Sequence, residues 1–163
     1  MKNNKAQISQ LFIYIFIIVI VGAILMIGYK SINNFISKGC DVEKITFKEQ
    51  TESLINKYND YGSYHEERIN APCSFSKVCF VNTSTIGKPV NYEDLTIKTS
   101  VMNGVEKNIF LIGDYTSAVG YVDLIYVDDE EGTGVICFNA QGGNFYIGFE
   151  GMGKSTKIVE IQE

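Results

Sequence analysis

Gly148-Phe149-Glu150-Gly151-Met152-Gly153-Lys154-Ser155 fits the GxxxxGKS spacing of a phosphate-binding loop. In such a loop backbone amides cradle the phosphates, the lysine neutralises their charge and the hydroxyl ligates Mg2+. That chemistry needs more than the octapeptide. A long helix must follow with its N-terminus on the phosphates, then further parallel strands and an acidic Mg2+ ligand. Only eight residues follow Ser155, and Lys157-Ile158-Val159-Glu160-Ile161 alternates as a strand does. The expectation is a glycine-rich hairpin turn between the last two strands, and a nucleotide-binding enzyme ranks last among the readings of this chain.

The other chemistry-bearing residues are scattered. His65 is the single histidine, within Tyr64-His65-Glu66-Glu67. No HExxH run or triad spacing accompanies it, so a polar strand position is expected. Asp128-Asp129-Glu130-Glu131 offers oxygen ligands for Ca2+ but reads first as a solvated turn. Asn82-Thr83-Ser84 is an N-glycosylation sequon, meaningful only in an exported domain. No catalytic constellation, cofactor or metal site is expected.

Cys40, Cys73, Cys79 and Cys137 are an even set with three possible pairings. The five residues between Cys73 and Cys79 suit a local clip, which leaves Cys40 for Cys137. Closing that long loop would contribute ~4 kcal/mol in the chain-entropy model. A four-thiolate zinc site lacks the C-x2–4-C pairs it needs. Four buried, reduced cysteines in a cytoplasmic domain are the remaining alternative.

These residues hang on a very uneven chain. From Ala6 to Tyr29 there is no charge, and Leu11 to Gly28 reads LFIYIFIIVIVGAILMIG. As a helix that run rises about 27 Å at ~1.5 Å per residue, and its neighbours extend it past the roughly 30 Å hydrocarbon core. It is longer than the apolar core of a cleaved secretory signal and has no Ala-x-Ala behind it. A transmembrane helix is expected. Lysines flank it on both sides, so the positive-inside rule leaves its orientation open. From Ser31 onward 11 basic residues face 19 acidic ones, a net charge of −8. Phosphate backbones need the opposite, so no nucleic-acid partner is expected.

Lys5-Ala6-Gln7-Ile8-Ser9 abuts the apolar run. The segment resembles the class III signal peptides of archaeal type IV pilins and pilin-like surface proteins. Lys5, Ala6, Gln7 and Ser9 match that pattern in place. The resemblance implies cleavage between Ala6 and Gln7 by a prepilin-type peptidase, with the helix retained. It departs at Leu11, where the family usually carries Glu four residues after the Gln, and that argues against assembly as a major filament subunit.

Beyond the anchor, the helix is expected to run to about Ser37 and stop at Gly39. Thr46 to Tyr58 reads as an amphipathic helix with Phe47, Leu54, Ile55 and Tyr58 on one face. Strands are expected at Val78–Val81, Asn108–Ile112, Tyr121–Val127, Gly134–Phe138, Asn144–Phe149 and Thr156–Ile161, and a short helix behind Asn91. Turn clusters separate the runs, so antiparallel hairpins follow. The fold class is α+β: an N-terminal transmembrane helix, then a small domain with an antiparallel sheet and one or two helices. The divisions are 1–6 as a leader open to cleavage, 7–38 as anchor and 39–163 as the folded domain.

The function expected is that of a membrane-anchored, pilin-like surface protein outside the cytoplasm, structural or interacting rather than catalytic. A single-span accessory subunit of a membrane complex is the alternative. The partners expected are the lipid bilayer, the peptidase and other pilin-like or membrane subunits.

Overall fold

The structure, a computed structural model, describes residues 4–127 and 132–161. Helix α1 spans Asn4–Lys57, and the chain divides into two units, Met1–Asp41 and Val42–Glu163. In the first unit Ile13–Ile32 is long and apolar enough to cross a membrane, and none of it is buried. Ile18, Leu25, Met26 and Tyr29 are each more than half exposed. A globular protein does not leave so continuous an apolar surface to water.

The expected stop at Gly39 does not occur, because α1 runs through it. A lone glycine costs a helix about 1 kcal/mol relative to alanine, and no proline or Asn-Gly pair follows it before Thr46. The packed turns beyond hold the helix on course. Phe47, Thr51, Ile55 and Tyr58 recur at helical spacing and are all buried, while Leu54 is only half-buried. The Thr51 hydroxyl satisfies itself on the Phe47 carbonyl, 2.8 Å away.

Among the described residues eight strands follow, in two four-stranded sheets. They are β1 (Tyr64–Asn70), β2 (Lys77–Val81), β3 (Ile109–Ile112), β4 (Thr116–Gly120), β5 (Ile125–Val127), β6 (Val135–Asn139), β7 (Asn144–Gly151) and β8 (Thr156–Val159). One sheet has the order β1-β7-β8-β5 and the other β4-β3-β2-β6. All pairings are antiparallel except β5 with β8. The expected α+β class is what the chain adopts, with two sheets where one antiparallel sheet was expected.

The two sheets have distinct partners. Phe145, Ile147 and Phe149 alternate along one face of β7 and are fully buried. Phe145 meets Phe47 edge to face, centroids 5.9 Å apart, and Phe149 lies 6.2 Å from Tyr58. Residues 42–57 of α1 are thus seated on the first sheet. On the second sheet Cys79, Val81, Phe110 and Val135 pack against Ile97 and Val101 of helix α2 (Leu95–Met102). That helix starts later than expected, because Asp94 rather than Asn91 caps it, accepting from the Thr96 and Ile97 amides.

The strand expected over Tyr121–Val127 is reduced to β5. The side chain of the fully buried Asn108 takes both backbone groups of Val122, accepting from its amide at 2.8 Å and donating to its carbonyl at 2.7 Å. Asp123 then accepts from the Leu124 amide, and Leu124 sits at φ 65°. These bonds make a turn where composition suggested a strand. β4, with its TSAVG sequence, gave no expectation.

One bond ties the last strand to the end of α1. Thr156, fully buried on β8, donates its hydroxyl to the Ile55 carbonyl at 2.7 Å. Ile55 lies in the final turn, where helix carbonyls lack helical partners. Replacing Thr156 by the isosteric valine leaves that carbonyl buried and unpaired. The expected loss is about 1–3 kcal/mol of unfolding free energy in a urea titration of the whole chain.

Candidate functional site

The cysteines show a rule that sequence spacing hides. All four are disulfide-bonded and none is free. The pairing differs from the expected clip, since Cys79 bonds Cys137 rather than Cys73. Loop length suggested the clip, but strand register decides. Cys79 and Cys137 lie directly opposite on β2 and β6, with Cα atoms 4.1 Å apart. The Asn82 amide donates to Gly134 and the Ala140 amide to Ser76, so residues 134, 136, 138 and 140 are the hydrogen-bonded positions. Cys137 is therefore at a non-hydrogen-bonded pair, where side chains stand closest.

Tyr92 caps this bridge. Its hydroxyl is 2.8 Å from Cys137 Sγ and 3.6 Å from Cys79 Sγ, and must be the donor because disulfide sulfurs carry no proton. Burial raises the Tyr92 pKa, with the charges of Asp94 and Glu93 adding to it. A pKa raised in the folded state contributes stability that is complete below the unfolded value near 10 and is lost as pH climbs through the folded one. Wild type is therefore expected to lose more stability than Tyr92→Phe above about pH 10. The phenolate absorbance difference between the two should titrate later than a free tyrosine.

His65 does sit on a strand, β1, and stacks on Tyr58 with centroids 4.0 Å apart. The Tyr58 hydroxyl donates to Glu67 Oε1 and accepts from Lys57 Nζ at 2.9 Å. The hydrogen bond to Tyr58 raises the Lys57 pKa, aided by the charges of Tyr58 and Glu67. An amine pushed that way stays an ammonium at neutral pH, the reverse of what a nucleophilic lysine needs. This cluster fastens the end of α1 to β1.

The GxxxxGKS octapeptide spans the end of β7 and the turn into β8. β7 and β8 pair antiparallel from Gly148↔Val159 to Gly151↔Thr156. The Met152 amide closes the turn on the Ser155 carbonyl at 2.9 Å, and Gly153 has φ +85°. Among the described residues no helix follows to receive a phosphate.

Asn82 is buried and spends both ends of its amide. Nδ2 donates to the Val127 carbonyl at 3.1 Å, while Oδ1 accepts from the Ser84 amide and hydroxyl. The nitrogen that would carry a glycan is thus inside the folded domain. The acidic run Asp128 to Glu131 lies outside the described residues. Among the described residues no group of three His, Cys, Asp or Glu could hold a metal. Lys5, Ala6, Gln7 and Ser9 fall in the first turns of α1.

No family model matches this chain, and neither curated proteins nor solved structures give a match.

Sequence reasoning missed Tyr92, Asn108 and Thr156, whose roles are set by contacts between segments far apart in the chain. One signal was readable for the bridge. With β2 and β6 both identified as strands, Cys79 and Cys137 each fall in the middle of one.

Proposed function

We propose that this chain is a membrane-anchored, pilin-like surface protein whose folded domain stands outside the cytoplasm and acts by display or interaction. The observation that carries this reading is an apolar helix, Ile13–Ile32, none of it buried, placed directly behind Lys5-Ala6-Gln7-Ile8-Ser9. Water is a poor solvent for that helix, while lipid accepts it at a gain of several tenths of a kcal/mol per Leu, Ile, Val or Phe. Disulfide bonding of every cysteine supports an oxidising compartment for the domain.

Mass spectrometry of the protein from its own membranes tests the processing. The expected mature N-terminus is Gln7, and an intact terminus at Met1 or Lys2 excludes cleavage. Labelling the cysteines on intact cells, with and without reductant, reports sidedness: label appearing only after an impermeant reductant places the domain outside.

Leu11 favours a second reading, a single-span accessory subunit of a membrane complex. Gly22 and Gly28 leave open space on the helix surface, where a neighbouring helix can approach closely. Co-purification of a stoichiometric membrane partner distinguishes this reading.

A further inference from the structure

The register of β6 that explains the disulfide has a second result. Val135, Cys137 and Asn139 are the non-hydrogen-bonded positions toward β2, so their amides and carbonyls point the other way. β6 is the last strand of its sheet, so no strand among the described residues pairs with that side. Thr133 occupies the Val135 amide through its hydroxyl at 3.2 Å. Among the described residues no hydrogen bond is made by the outward amides and carbonyls of Cys137 and Asn139.

Free edges are usually blunted by charge, proline or a bulge. β1, the edge of the other sheet, carries His65, Glu66, Glu67 and Arg68. β4 pairs through a register shift at Ile109/Phe110. β6 reads Val-Ile-Cys-Phe-Asn and has none of these devices. Its cross-strand disulfide also holds it to β2, so an incoming strand would find it already straightened.

A groove of about 480 Å3 runs along this edge. Cys137 and Asn139 line it, together with Glu66, Tyr146 and Glu160. Among the described residues two carboxylates line it and no Lys, Arg or His does. Tyr146 is 40% exposed, offering a ring face to an aliphatic or cationic side chain.

We propose that the β6 edge is a docking site for an extended, basic segment of a partner polypeptide. The segment adds to the sheet through the Cys137 and Asn139 backbone and sets its Lys or Arg side chains against Glu66 and Glu160. A second copy of this chain is the poorer occupant. It would bring its own acidic groove, from a domain of net charge −8, against this one. The proposal names the partner chemistry for the interaction role proposed above, but stands on the folded unit alone. N-terminal mapping at Gln7 and peptide binding at β6 can therefore fail independently.

The test uses the full chain in detergent micelles. The probe is a synthetic peptide of about ten residues in which Lys alternates with Val and Thr, long enough to span a strand. A matched peptide carries Glu in place of Lys. Saturable binding of the Lys peptide is expected, with hydrogen-exchange protection gained at the Cys137 and Asn139 amides. Asn139→Pro removes an outward N–H without breaking a β2 bond, and should weaken binding at least about tenfold. Glu66→Gln with Glu160→Gln should weaken it severalfold and flatten its salt dependence. Should the proline variant fail to fold, the charge variant and the exchange pattern decide. Absence of binding, equal binding of the Glu peptide, or protection gained elsewhere overturns the proposal. So does self-association of the wild type that Asn139→Pro abolishes, because it would give the edge to a second copy.

Discussion

Gly151→Ala is expected to prevent folding or to destabilise the domain by about 4 kcal/mol or more, at the upper end of single substitutions. A β-carbon there would overlap the Asp60 carbonyl and sit 2.5 Å from Ser63 Oγ and 2.7 Å from the Tyr58 carbonyl. Two of these neighbours are backbone and cannot swing aside. Gly151 also holds the turn between α1 and β1 through its own backbone. Its amide donates to Ser63 at 2.8 Å, and its carbonyl accepts from Gly62 at 3.0 Å. Lys154→Ala, three residues on and exposed, should stay within about 0.5 kcal/mol of wild type. The contrast separates a packing glycine from a phosphate loop. A nucleotide site would lose ATP affinity in Lys154→Ala, whereas this hairpin should show no ATP affinity to lose. Thermal melts of both variants and a nucleotide titration make the measurement.

The Cys79→Ala, Cys137→Ala double variant should lose about 4 kcal/mol, the chain-entropy value for a closed loop of this length. The bonded residues are 58 apart in sequence. The fully buried Cys79 packs with Val81, Phe110 and Ile97, so its replacement opens a small cavity as well. Tyr92 would also lose the sulfur to which it donates. Urea unfolding of wild type and variant, under oxidising and then reducing conditions, checks the value. Reductant should destabilise wild type more than the variant, which lacks this bridge but keeps the bonded Cys40 and Cys73. A loss below about 1 kcal/mol would mean the bridge is strained or the unfolded chain is already compact.

What could be read from the residues was whatever is encoded locally. The long apolar helix was legible because Leu11 to Gly28 is an unbroken uncharged run without proline. Lys77–Val81, Ile109–Ile112, Val135–Asn139 and Asn144–Gly151 were legible because β-branched and aromatic runs end at turn residues. Gln141-Gly142-Gly143 was legible as a turn, and Gly142 and Gly143 take φ of +57° and +76° there.

Pairing was not legible. β6 and β7 flank that turn yet belong to different sheets, and β5 lies parallel to β8. Cys79 found Cys137 through register, against the shorter loop to Cys73. Gly39 looked like a helix end because glycine is a weak helix former, but packing further along the helix outweighs that local cost. Of the candidate site, the hairpin nature of the GxxxxGKS segment and the strand position of His65 were readable. The open side of β6 was not, since an edge is defined by what fails to pair with it.

Strand membership also constrains how the protein can be made. The first sheet takes the first, fifth, seventh and eighth strands, and the second takes the rest. β1 has β7 as its partner, and α1 is seated on β7 too. A growing chain that ends before residue 144 therefore has neither a mate for its first strand nor a seat for residues 42–57 of α1. Biosynthesis must deliver the chain through β8 before the first sheet closes, and non-local closure of this kind is slow. During that interval the apolar residues of α1 are in need of a chaperone, an insertion machine or lipid, and a chain that stops before β7 lacks the first sheet.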